Sequence, residues 1–226
     1  MQAPLLFLSY SVKDRKVAAE GKQNLSSAGF AVFLAHEDIM PTDEWLRRIE
    51  AELKRCNVFV AILSENFRNS DWTDQEAGYA LSRCRGSRNR CLILSLVVAP
   101  MSLRPHGFLK DFQALRLDPM RVDESCKQVA EIVEEKLKLT DFRKNRLISK
   151  FALSGSFRVG KENLKALSKL RPFSLEQTKR IAWAILSNNQ IHLPPENYPS
   201  LRLLPSDHFE DLDTETQNGL NSRLSN

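Results

Sequence analysis

The chain has 226 residues, a formal net charge of +5 and a hydrophobic fraction of 42%, enough for one or two domains with ordinary cores. No apolar run approaches the ~20 residues that span a bilayer, and the N-terminus lacks the basic start and long apolar stretch of a secretion signal, so a soluble, cytoplasmic protein with no membrane partner is expected. Four cysteines, at 56, 84, 91 and 126, form no CxxC pair and the four histidines are scattered, which speaks against metal sites and disulfides and for buried or partly buried free thiols.

Residues 5–10 (LLFLSY) form a short apolar run that predicts a buried strand. Residues 13–28 place Val17, Gly21, Leu25 and Ala28 on one helical face, and Gly29 suits the stop. A second strand follows at 31–34 (AVFL). The loop 35–43 contains Pro41 and ends at Asp43, a fitting N-cap for a helix at 44–56 with Trp45, Ile49 and Leu53 at four-residue steps. Residues 58–63 (VFVAIL) are wholly apolar, as a central parallel strand should be. A polar loop, 64–71, leads to a helix at 72–83. Residues 90–98 and the shorter 112–117 read as the fourth and fifth strands, and 123–139 as the closing helix.

Strand and helix thus alternate five times in roughly 140 residues, the pattern of a parallel sheet wrapped by helices on both faces. The expected fold is α/β, flavodoxin-like, with strand order 2-1-3-4-5 and a switch point between strands one and three. Ligands bind such sheets at the carboxyl ends of the strands near that point, here residues 10–12 and 64–76, so topology selects a site before any motif does. From about Thr140 the alternation stops. SLEQ at 174–177 is a capping box opening a helix to about Ser187, and 161–170 is another helix. Residues 141–212 are therefore read as a small, mainly helical domain after a first domain at 1–140. Pro194, Pro195, Pro199 and Pro205 break its regularity, and 213–226 is expected to be a disordered tail. Between Asp141 and Gln190 eleven Lys/Arg face three Asp/Glu, an asymmetry that can mark an anion-binding surface and is more often a solvated helix face. Phe151, Phe157, Phe173 and Trp183 are spaced like core residues.

Phosphate-binding and dinucleotide glycine motifs, HExxH and GxSxG are all absent. A phosphoacceptor receiver needs an aspartate at the end of the third strand, where this chain has Leu63-Ser64. What remains is SDWTDQEAGY at 70–79. With FLSY at 7–10, GFAVF at 29–33, EDIMP at 37–41 and LSENF at 63–67, in this order and spacing, the chain resembles TIR domains, particularly bacterial ones, over residues 1 to about 140.

That resemblance implies an activity. Enzymatic members cleave NAD+ with a glutamate four residues after a tryptophan at the start of the helix following the third strand, a pattern that Trp72 and Glu76 match; adaptor members commonly lack it. Glu76 is thus the candidate catalytic residue. Tyr10, Ser11, Val12, Phe33, Asp38, Met40, Ser70 and Trp72 are candidate substrate-binding residues, with NAD+ as substrate and no cofactor or metal. Ser70 is also placed to cap the Trp72 helix. Residues 36–42 match a loop that in the family packs on a neighbouring TIR domain, which implies a homo-oligomer; Thr42 replaces its usual glycine. Bacterial relatives act in antiphage defence. The chemistry is self-consistent: nicotinamide leaves as a neutral ring, so no general acid is needed, and a carboxylate beside the ribose can stabilise the cation-like transition state. Water or an internal nucleophile would then give ADP-ribose or a cyclic isomer. Against this stand a solvated Glu76, the ordinary fate of glutamate, and a non-catalytic scaffold working by TIR–TIR assembly. For the basic C-terminal domain, a regulatory protein or ligand is preferred over nucleic acid as partner.

Overall fold

The computed structural model describes residues 3–34, 45–68, 71–86, 91–98, 107–112, 114–192 and 195–225. It divides into two compact units, Met1–Leu139 and Thr140–Asn226. In the first unit the elements run β1 (Leu5–Ser9), α1 (Arg15–Ser27), β2 (Ala31–Leu34), α2 (Trp45–Arg55), β3 (Val58–Leu63), α3 (Glu65–Arg68), α4 (Asp71–Arg85), β4 (Leu92–Val98), β5 (Ala114–Leu117) and α5 (Val122–Lys136). The strands form one sheet in the order β2-β1-β3-β4-β5, every pairing parallel, as the alternation of strand and helix leads one to expect. All six residues of β3 are buried, because helices cover both faces of the central strand.

Period-two alternation sorts the side chains. Phe7 pairs with Phe33 and Phe59 in register, with ring centroids 5.2 and 5.8 Å apart. This face is covered by Ile49 and Leu53 of α2 and by Ala77, Ala80 and Leu81 of α4. Leu8, on the other face, lies against Gly21 of α1, and α1 packs beside α5. Each fully buried side chain of this size contributes about 1.5–3 kcal/mol. Helix α1 stops at Gly29, whose φ of 92° is the left-handed conformation a side chain disfavours; the N–H of Phe30 then closes onto Leu25 O at 3.2 Å. The polar segment after β3 was expected as loop alone, but α3 forms within it, with the Ser64 hydroxyl accepting the Phe67 N–H at 3.1 Å. All four cysteines are free, Cys84 half-buried and the others buried, as their spacing implies.

Among the described residues the second unit has only helical elements, chief among them α6 (Thr140–Ala152), α7 (Phe157–Ser168), α8 (Leu175–Ser187), α9 (Asn189–His192), α10 (Tyr198–Leu203) and α11 (Thr214–Arg223). The capping box is present, Ser174 Oγ accepting the Gln177 N–H at 3.3 Å and Gln177 Oε1 the Ser174 N–H at 3.1 Å. Pro199 and Pro205 lie in the first turns of short helices, where a missing N–H costs nothing. Gly160 lets α7 approach α9, since a Cβ there would lie 2.9 Å from Gln190 O.

Two expectations are corrected here. Of the tail expected to be disordered, 213–226, the described residues 213–225 are ordered: Asp213 caps α11 by accepting the Thr216 N–H at 2.9 Å and its hydroxyl at 2.7 Å, and Leu220 and Leu224 enter the core. Nor are all four aromatics core residues. Phe151 and Phe173 are, but Phe157 and Trp183 are exposed, Trp183 because Ile181, Ala182, Ala184 and Ile185 take the inner side of α8. Trp183 lines a cleft of about 380 Å³ with Ile148, Ala152, Leu153, Lys179 and Arg180.

Arg171 clamps Asp207 through two hydrogen bonds, 2.6 and 3.2 Å, and the Phe173 N–H adds a third at 3.0 Å. The guanidinium first, and that N–H after it, hold the Asp207 carboxyl below the usual carboxylate range. A lowered folded-state value contributes stability that is complete above the unfolded value, ~3.9, and is lost as pH falls through the folded one. The helical signal of Asp207→Asn is therefore expected to fall less steeply below pH ~4 than that of wild type; superimposable acid titrations would show that the clamp does not couple to folding.

Candidate functional site

The order of strands puts the carboxyl ends of β1 and β3 side by side, with β2 beyond β1 and β4 beyond β3. Two turns leave this edge. After β1 the chain passes through Tyr10 and Ser11 into a 3-10 turn, Val12–Asp14; after β3 it passes through Ser64 into α3 and α4. The Asp14 carboxylate ties the two together, accepting from the Ser64 hydroxyl and, at 2.9 Å, from Asn66 Nδ2. Thr73, buried on α4, donates to Phe67 O at 3.0 Å and fixes the start of that helix against α3.

Glu76 lies on α4 and turns inward, only 4% exposed. The Ser9 hydroxyl, at the end of β1, donates to Glu76 Oε2 at 2.5 Å. The register explains why a carboxylate fits beneath the helix. Ser9, Ala61, Ser95 and Ala114 stand opposite one another across β1, β3, β4 and β5, a row of small side chains on the face that α4 covers. One step back along the same face the row is Phe7, Phe59 and Ile93, which fill the space. The small row leaves a trough, and Ser9 supplies the hydrogen bond without which a buried carboxylate is costly.

The expected site residues fall into distinct places. Glu76 and the turn of Tyr10, Ser11 and Val12 share the carboxyl edge. Tyr10 is itself buried, Ser11 half-buried and Val12 exposed, so this turn reaches the surface through Ser11 and Val12. Phe33 is corrected: its ring packs on Phe7 within the core under α2 and α4, because its position on β2 alternates onto the covered face. Trp72 is on α4 one turn before Glu76, and its side chain lies outside what is described, as do Asp38, Met40, Ser70 and the whole segment 35–44. The sequence reading did not single out Ser9 or Asp14. The only local signal for Ser9 is its alternation with Phe7, which puts a hydroxyl on the face of β1 that is otherwise apolar.

Among the described residues no group of three or more His, Cys, Asp or Glu could hold a metal ion, and no helix is long and apolar enough to cross a membrane. What the edge offers is one buried, hydrogen-bonded carboxylate beside a braced, partly exposed turn. Such a group stabilises positive charge developing nearby more strongly than it would in water.

The crystal structure of the TIR domain of the Toll-related receptor TRR-2 from Hydra magnipapillata is similar to this chain, at 18% identity over 61% of this chain and 97% of that one, with a TM-score of 0.42. No curated protein matches. A family model described as TIR domain matches residues 6–145, well over half of the chain and all of the sheet except Leu5. The chain belongs to the TIR domain family.

Proposed function

We propose that this TIR domain cleaves NAD+ at the nicotinamide–ribose bond, with Glu76 as the residue that stabilises the ribosyl cation. The carrying observation is the burial of the Glu76 carboxylate at the carboxyl edge of the sheet, under hydrogen bond from Ser9. A solvated helix glutamate, the ordinary alternative, does not describe a side chain 4% exposed. As the C–N bond breaks, its electron pair leaves with the nicotinamide, which departs neutral, and the anomeric carbon becomes cation-like. The anionic carboxylate opposes that charge from a site where water screens it little, and its oxygens can accept from the ribose hydroxyls. Ser9 positions the carboxylate, and the turn of Ser11 and Val12 supplies contacts at the mouth. Water attack gives ADP-ribose; attack from within the same nucleotide gives a cyclic isomer.

The test is nicotinamide release from NAD+ by the full chain, with chromatography of the second product. A substrate site completed by a neighbouring TIR domain, as the match of residues 36–42 to the family's packing loop implies, makes a further expectation. Turnover per subunit should rise with protein concentration and with a crowding agent; a rate strictly proportional to protein would remove the shared site and leave a self-sufficient one. If NAD+ survives at concentrations where the chain demonstrably assembles, a scaffold working through TIR–TIR contacts becomes the better reading.

A further inference from the structure

At the opposite end of the sheet from Glu76, Cys56 follows α2 and Cys91 precedes β4. Their Sγ atoms lie 3.6 Å apart. The backbones that carry them are pinned: the Leu92 N–H donates to Asn57 O at 2.9 Å, and Val58 and Leu92 are register partners. Arg83, from α4, comes within 3.3 Å of Cys56 Sγ while donating to Leu53 O at 2.5 Å and Cys56 O at 2.9 Å. Both thiols are almost fully buried, 1% and 2% exposed.

The surroundings make the two thiols unlike. The contact between the two sulfurs, in which either thiol can donate, together with the Arg83 charge, holds the Cys56 thiol below its ordinary value despite burial. The same S–H···S contact, reinforced by burial, pushes the Cys91 thiol far above its own. The guanidinium contact at 3.3 Å falls on Cys56 Sγ, which makes Cys56 the sulfur better placed to attack and Cys91 the one that resolves it, the division of labour that thiol oxidation to a disulfide uses. A disulfide needs its sulfurs at about 2.05 Å, a closure on the order of 1.5 Å from the observed 3.6 Å.

We propose that Cys56 and Cys91 are a redox-active dithiol that a hydroperoxide converts to a disulfide. The Cys56 thiolate attacks one peroxide oxygen; the O–O bond breaks, hydroxide leaves and Cys56 becomes a sulfenic acid. The Cys91 sulfur then attacks the Cys56 sulfur; the S–O bond breaks, and the Cys91 proton leaves with the departing hydroxyl as water. With hydrogen peroxide two thiols lose two electrons and two protons, and one peroxide becomes two waters. Burial selects the oxidant: hydrogen peroxide can enter through a small local opening, whereas glutathione disulfide would need the unit to open widely. This assignment stands apart from the NAD+ proposal, since it uses neither Glu76 nor the carboxyl edge.

The experiment treats the reduced full chain with hydrogen peroxide, quenches, unfolds it in the presence of an alkylating reagent without reductant, and maps the digested peptides by mass spectrometry. The expected result is one cross-linked peptide pair joining Cys56 to Cys91, two hydrogens lighter than the sum of its parts and released by dithiothreitol. Cys84 and Cys126 should remain alkylated. Glutathione disulfide should form the pair at least ten-fold more slowly, and Cys91→Ser should yield a Cys56 sulfenic acid that dimedone traps. The proposal is overturned if both thiols stay alkylatable after Cys84 has oxidised, or if the cross-links are scrambled among cysteines or between chains. The wild-type map decides the matter even where a serine variant fails to fold.

Discussion

Glu76→Gln is expected to lower nicotinamide release from NAD+ by at least about 100-fold, in line with losing one preorganised electrostatic contact to a transition state, while the melting temperature moves by only a few degrees. The substitution is chosen for what it keeps. Glutamine has the shape of glutamate, and its amide oxygen can still accept from the Ser9 hydroxyl that now bonds Oε2, so α4 stays seated over the small row of the sheet. What disappears is the negative charge. A cation forming beside a neutral amide loses the Coulomb term that a site this poor in water makes large. The deficit should fall on kcat as well as on kcat/KM, because the charge is needed only when the bond breaks. Ser9→Ala should cost less, roughly ten-fold, because the charge survives but its direction is no longer fixed. A Glu76→Gln protein that releases nicotinamide within three-fold of wild type would show that the carboxylate charge is not used, and the NAD+ proposal would fall with it.

The chain showed its fold more readily than its site. The strands followed from hydrophobic periodicity, because β1 to β4 are short and almost wholly apolar, and their order from the flavodoxin-like arrangement that alternation of strand and helix favours. Glu76 was legible only through the ordered set of motifs around it; nothing local tells a buried helix glutamate from a solvated one. The bond that Ser9 makes was not legible, since its partner lies 67 residues away and is fixed by strand register and helix rotation, which local sequence does not encode. The same holds for the bond from Ser64 to Asp14, across 50 residues, and for the contact of Cys56 with Cys91, across 35. Helix α11 was missed for the opposite reason. Its polar sequence, TETQNGLNSR, looks like tail, and it is held by a capping aspartate and two leucines that find a core built from distant helices. Trp183 was misjudged because the spacing of the aromatics does not report which side of a helix is inward.

Ala61→Leu provides the sharpest test of how the sheet shapes the site. Ala61 stands in register between Ser9 and Ser95 on the face beneath α4, fully buried. Three added carbons have nowhere to go except into the trough that admits the Glu76 side chain. Overpacking of this kind costs about 1–3 kcal/mol, and the strain should be relieved by lifting α4, which parts Glu76 from Ser9. Val60→Ala is the control. Val60 is equally buried but alternates onto the other face of β3, and losing two methyl groups there costs a comparable ~1.5 kcal/mol or more without touching the trough. The expected outcome is that the two variants melt at similar, lowered temperatures while nicotinamide release, measured well below both transitions, falls at least ten-fold in Ala61→Leu alone. Equal losses of activity would mean that release follows general stability, and that the row of small residues is a packing feature with no bearing on how the carboxylate is presented.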